Sequence, residues 1–176
     1  MTISFGKPGQ LRKTFKDAKL EIQGGVYFRH ACPLVDAFNK ANLKDGLFLA
    51  AAAGGKFDVA ADANRALYLI FTSNSEVIIS QPTSADDFPG DDRTDAPTGL
   101  FGSVQAVWPI ELLHTGARGT ATVALNSYAV GTALTVVNGR LCPANVGGIT
   151  GDRIVGYVEA EPSVTGTNSV QCRVSL

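Results

Sequence analysis

Apolar and polar residues alternate most cleanly near the end of this chain. Over residues 169–176, Val170, Cys172, Val174 and Leu176 fall on one side, and Gln171, Arg173 and Ser175 on the other. That period of two is the mark of a half-buried strand. Residues 103–113 carry a second such signal. Val104, Ala106 and Trp108 share a face, Val107 lies opposite, and Pro109, which has no N–H to donate to a ladder, marks an edge or a bulge. Residues 120–125 read as a further strand, and residues 76–80 as a short buried one.

One pattern occurs twice. Near the C-terminus, Gly131 precedes an apolar run, Gly139 with Arg140 turns the chain into a second run ending at Ala144, and Arg153 opens a third, alternating run. Near the N-terminus, Gly46 precedes an apolar run, Gly55 with Lys56 turns the chain into a run ending at Ala60, and Arg65 opens a third. Both stretches predict three-strand, meander-like units. The alanines at 50–53 favour helix by propensity. Gly46, Gly54 and Gly55 leave too few residues for an isolated helix, so strand is expected. The repeat extends further, since residues 22–55 and 105–139 are nearly equal in length and pass through similar elements.

Residues 21–34 predict strand, turn, strand, with Gly24 and Gly25 as the turn and Pro33 as the stop; residues 36–42 predict one helical turn. The expected organisation is therefore a basic extended arm over 1–20, a first β-rich half over 21–81, a loop over 82–102 and a second β-rich half over 103–176. The fold class expected is all-β, a small barrel or sandwich built from two meander-like halves.

Composition narrows the function classes. With 45% hydrophobic and 18% charged residues, the chain has the balance of a folded domain, and its 176 residues supply a core that needs no staples. A net charge of −1 argues against a protein that neutralises many phosphates, so nucleic acid is not expected as a direct partner. No apolar run reaches the roughly 18 residues of a helical span, and no membrane partner is expected. The first residues lack a basic region followed by an apolar one, which predicts no signal peptide. Cys32, Cys142 and Cys172 are odd in number and show no C-x-x-C spacing, so buried, reduced thiols are expected.

Charge is distributed unevenly. Residues 1–20 hold Lys7, Arg12, Lys13, Lys16 and Lys19 against Asp17 alone; residues 82–102 hold Asp86, Asp87, Asp91, Asp92 and Asp95 against Arg93. Arg12, Lys13 and Lys16, with the five loop aspartates, are the candidate contact residues. The aspartates lack the alternating order of a calcium loop. His30 and His114 have no ligand spacing with the cysteines, and no nucleophile elbow, phosphate loop, dinucleotide fingerprint or zinc-protease motif occurs. Glu159 and Glu161 form an alternating pair, read as two solvated charges before Pro162. No catalytic residue, metal or cofactor is expected.

The C-terminal third carries a resemblance. Gly131-Thr-Ala-Leu134-Thr-Val136-Val-Asn-Gly139-Arg-Leu141, then Gly151-Asp152-Arg-Ile-Val155-Gly156-Tyr-Val158, then Val170-Gln-Cys-Arg-Val174 resembles the capsid decoration, or cement, proteins of tailed bacteriophages over roughly residues 120–176. In that family a G-x-x-L-x-V-x-x-G-x-L hairpin leads to a G-D-x-x-V-G-x-V strand within a small β-barrel or tulip-like domain. The resemblance implies a structural virion protein, made in the host cytoplasm and placed on the capsid exterior. It would bridge neighbouring major capsid protein subunits and assemble with copies of itself as a dimer or trimer. The long preceding half, the basic arm and the Asp-rich loop depart from the family pattern. The alternative is a carbohydrate- or host-surface-binding β-module of a phage fibre or appendage, which needs exposed aromatics, with Trp108 and Tyr128 as candidates.

Overall fold

The computed structural model describes residues 20–39, 42–71, 97–161 and 169–176. The strands are β1 (Glu21–Ala31), β2 (Phe48–Ala51), β3 (Phe57–Val59), β4 (Leu67–Ile70), β5 (Thr98–Pro109), β6 (Gly116–Arg118), β7 (Ala121–Val123), β8 (Ala133–Val137), β9 (Arg140–Pro143), β10 (Gly156–Ala160) and β11 (Ser169–Ser175). Nine of them form one antiparallel sheet in the order β3-β2-β4-β5-β11-β10-β8-β9, with β1 also paired to β5; β6 and β7 form a separate hairpin. The sheet curls into a half-barrel, and the all-β expectation holds. The expected strand over 76–80 lies outside the described residues.

Strand β5 belongs to two units at once. One of its edges pairs with β1 along nearly its whole length. Its other edge is divided: Gly99 and Leu100 pair with β4, and residues from Ser103 to Pro109 pair with β11. The neighbour order β1-β5-β4-β2-β3 in the first half is therefore repeated as β5-β11-β10-β8-β9 in the second. Within each three-strand unit the first strand lies in the middle, β2 between β3 and β4, and β8 between β9 and β10. The alternation over 169–176 follows from this placement. Strand β11 is held on both sides, with Val170, Cys172 and Val174 buried against the main core.

The β8–β9 turn joins the two halves. Asn138 and Gly139 both take positive φ (48° and 74°), the geometry of a two-residue hairpin turn whose twist suits the strands. Gly139 accepts a bond from the Phe48 N–H (2.9 Å) and donates to the Ala60 carbonyl (2.7 Å), while the Asn138 N–H donates to Ala61 (2.9 Å). A Cβ at Gly139 would lie 2.6 Å from Leu47 Cδ1, so only glycine permits this approach. Arg153 adds a second tie, donating through one nitrogen to the carbonyls of Ala63 and Arg65, each at 3.0 Å.

The main core fills the concave side, where Trp108 stacks on Phe48 with centroids 6.2 Å apart. A smaller core lies on the opposite face of the first half. There the segment after β1 brings Cys32, Leu34 and Phe38 over Leu47, Leu49, Phe57 and Ile70, pinned by Phe57 N–H to Pro33 O (2.7 Å) and Val35 N–H to Phe57 O (3.0 Å). Burial on both faces explains why Leu47, Phe48, Leu49 and Ala50 form an unbroken apolar run. The run is strand through Ala51, and Ala53 begins a short 3-10 turn.

One expectation needs correction, and another holds in part. Gly24 and Gly25 do not reverse the chain; β1 runs straight through them with a bulge between Ile22 and Gly24. Gly25 sits at φ 128°, where a Cβ would lie 2.1 Å from Ser103 O, so Gly25 serves close approach to β5. Residues 36–39 form turns, with the Phe38 N–H bonded to Val35 O (2.9 Å), while Asn42, whose N–H bonds Asn39 O (2.9 Å), lies in a 3-10 turn at the end of the 36–42 stretch.

Candidate interaction surface

Asp152, in the Gly151-Asp152-Arg153 stretch, serves as scaffold. Both carboxylate oxygens of Asp152 accept from the Arg118 guanidinium, at 2.7 Å each, and one of them also accepts the Asn145 N–H at 2.7 Å. Arg118 also donates to Pro143 O at 2.6 Å, and its side chain is 8% exposed. This fork holds the β6–β7 hairpin against the loop between β9 and β10. Tyr128 makes a parallel lock, its hydroxyl shared between the carbonyls of His114 and Leu141 at 2.9 Å each. Burial pushes the Tyr128 phenol well above its ordinary range, so it stays protonated.

Polar groups elsewhere are arranged in the same structural manner. Glu159 accepts from Arg173 Nε (2.8 Å), Gln105 and Gln171, joining β10, β11 and β5 on the convex face. The hydrogen bond from Arg173 is the main cause holding its carboxyl below the usual range. Glu159 is thus a bonded hub and not the solvated charge expected from sequence. The three cysteines are free and buried, as expected, and burial raises the Cys32 thiol to about 11. Among the described residues, no group of three or more His, Cys, Asp or Glu side chains could hold a metal ion. Arg12, Lys13, Lys16, Asp86, Asp87, Asp91, Asp92 and Asp95 all lie outside the described residues.

The convex face of the first half carries a row of rings. Phe28 of β1 stacks on Phe101 of β5 (centroids 5.5 Å), Phe101 meets Tyr68 of β4 edge-on (5.8 Å), and Tyr68 meets Phe57 of β3 (5.0 Å). His30 lies 5.4 Å from Tyr68 and 5.6 Å from Phe57. One end of the row is buried under the small core, while at the β1 end Phe28 is 61% and Val26 74% exposed. Val26 and Phe28, two residues apart on one strand, thus lie side by side on the outer face. The bulge before Gly24 sets this arrangement: beyond it Tyr27 turns inward to the main core, and Val26, Phe28 and His30 turn outward.

Sequence reasoning located the 26–31 run as strand but missed its exposure. The run is apolar at consecutive positions, and alternation could not say which side faced water. Trp108 and Tyr128, the aromatics proposed for a sugar-binding patch, are 0% exposed and belong to the core. Among the described residues of the second half, Val130 (60%) and Tyr157 (55%) are the large exposed apolar side chains. Comparison of the chain with protein-family models, with curated proteins and with solved structures returns no match.

Proposed function

We propose that this protein is a non-enzymatic structural component that decorates the exterior of a phage capsid and cements neighbouring major capsid subunits. The observation that carries the reading is the exposed apolar strip of Val26 and Phe28, at the end of a ring row on a sheet with a packed interior. Such a strip adds adhesive area to a rigid body, which is what a cement protein requires. Many equivalent sites on a shell turn individually weak contacts into strong attachment, since each contact becomes effectively intramolecular once another has formed. The charged stretches over 1–20 and 82–102 are the proposed electrostatic contacts, and the rigid tie through Arg118 and Asp152 would keep the second half in shape under load.

Co-sedimentation and negative-stain imaging of expanded shells mixed with the purified protein test this reading. Saturable loading at fixed lattice positions is the expected result. Absence of loading on shells that lack decoration would refute it. Deleting residues 1–19, which stops short of the buried Leu20, should weaken loading and leave the fold intact. The sugar-binding alternative has lost Trp108 and Tyr128 to the core, and among the described residues its exposed aromatics are Phe28 and Tyr157. Binding on a glycan array without shell loading would favour it.

A further inference from the structure

The β8–β9 turn carries a reactive pair as well as a tie. Asn138 is the one asparagine of the chain that precedes a glycine. Such a pair can modify itself, because a glycine without Cβ lets its backbone nitrogen reach the asparagine carboxamide. The Gly139 nitrogen would give its proton to a base in solution and attack Asn138 Cγ. A C–N bond forms, the carboxamide C–N bond breaks, and ammonia leaves with a proton taken from water. Water then opens the five-membered imide at either carbonyl. One opening gives aspartate, and the other gives isoaspartate, whose main chain runs through Cγ. Nothing is oxidised or reduced, and water is the sole co-reactant.

The folded turn leaves the carboxamide accessible and withholds the nucleophile. Asn138 is exposed, whereas Gly139 is buried and its N–H is engaged with Ala60 O at 2.7 Å. On either side of that bond, Asn138 N–H donates to Ala61 O and Gly139 O accepts from Phe48 N–H, each at 2.9 Å. Ring closure also needs rotation about the Asn138 Cα–C bond. The φ values of 48° and 74° match a type I′ turn, in which that torsion is held at roughly +30°. Turning it carries the Gly139 N–H away from Ala60. Phe48, Ala60 and Ala61 belong to the first half and the turn to the second, so the restraint comes from the docking of the halves.

We propose that Asn138 is a self-modification site held shut by the contact between the two halves, and that it cyclises with Gly139 when that contact opens. The change runs one way. Isoaspartate lengthens the main chain by one carbon within the turn, and Gly139 has no room to shift. A Cβ there would already lie 2.6 Å from Leu47 Cδ1 and 2.8 Å from Val59 Cγ1. The aspartate product adds a second carboxylate next to the Asp62–Val137 bridge. Molecules that open and react therefore do not regain the seat, and the protein accumulates a chemical record of opening. The inference rests on the turn and stands independently of any shell.

Incubation of the full chain at mildly alkaline pH, in buffer and in guanidinium chloride, tests it. Conversion at position 138 is read by peptide mass spectrometry, with aspartate and isoaspartate separated by chromatography. Conversion in buffer should be at least about tenfold slower than in denaturant, because three backbone bonds must first give way. Arg153→Ala removes the neighbouring tie to the carbonyls of Ala63 and Arg65. It should speed conversion in buffer by at least about threefold and leave the rate in denaturant unchanged, and a retained circular dichroism spectrum will confirm that the variant folds. The wild-type comparison stands by itself if it does not. Equal rates in buffer and denaturant would overturn the proposal. So would an Asn138 that stays intact in denaturant, or a rate in buffer that a folded Arg153→Ala variant leaves unchanged.

Discussion

Replacing Arg118 with Ala tests whether the Gly151-Asp152-Arg153 stretch is scaffold. The substitution removes two 2.7 Å bonds to Asp152 and one of 2.6 Å to Pro143 O. The partners are 8% and 15% exposed, so Asp152 is left as a largely buried, unpaired carboxylate. Removing one member of a buried pair costs about 3–5 kcal/mol. Asp152 keeps its bond from the Asn145 N–H, which places the loss near the lower end, at about 3 kcal/mol. In a chain of this size that lowers the melting temperature by roughly 6–12 °C. Urea and thermal unfolding followed by circular dichroism provide the assay. The double variant Arg118→Ala with Asp152→Asn should cost less than the two single losses added, because no charge is then stranded. The exposed Lys56–Asp36 pair serves as the control, and Asp36→Asn should leave the midpoint unchanged. A loss below about 0.5 kcal/mol for Arg118→Ala, or strict additivity in the double variant, would refute the argument.

Further outcomes are expected. Tyr128→Phe removes the hydroxyl shared by His114 O and Leu141 O; Leu141 O keeps the His114 N–H (2.8 Å), so the cost should be about 1 kcal/mol by urea unfolding. The folded carboxyl of Glu159 is held below its unfolded value, so it adds stability above pH about 4.3 that is lost as pH falls through the folded pKa. Glu159→Gln should therefore flatten the acid limb of a stability–pH profile while leaving stability below that limb little changed. A thiol reagent at pH 8 should leave the native protein untouched and titrate all three cysteines in urea, since each is buried and the Cys32 thiol lies at about 11. Gly139→Ala should cost about 2 kcal/mol, because its positive φ and its 2.6 Å approach to Leu47 both resist a Cβ.

The strands themselves were largely legible along the chain. Residues 103–109 and 169–175 alternate because each faces the main core on one side, and Asn138-Gly139 marks a hairpin because its dihedral needs are local. Gly24-Gly25 misled for a related reason. Glycine signals backbone freedom, and a turn and a close strand crossing make the same demand on a sequence. The exposed strip at Val26 and Phe28 was hidden because the bulge before Gly24 resets which side chains point inward.

The amino-acid order alone settled which stretches extend, where they turn, and that the thiols lie inside, because propensity, period and turn chemistry act over a few neighbouring residues. Tertiary contact decided the rest. It placed β5 in both units, gave Asp152 a partner 34 residues away, buried Trp108 and Tyr128, and left Val26 and Phe28 exposed. These depend on which strands meet, and pairing between distant segments leaves no periodic trace in either segment by itself.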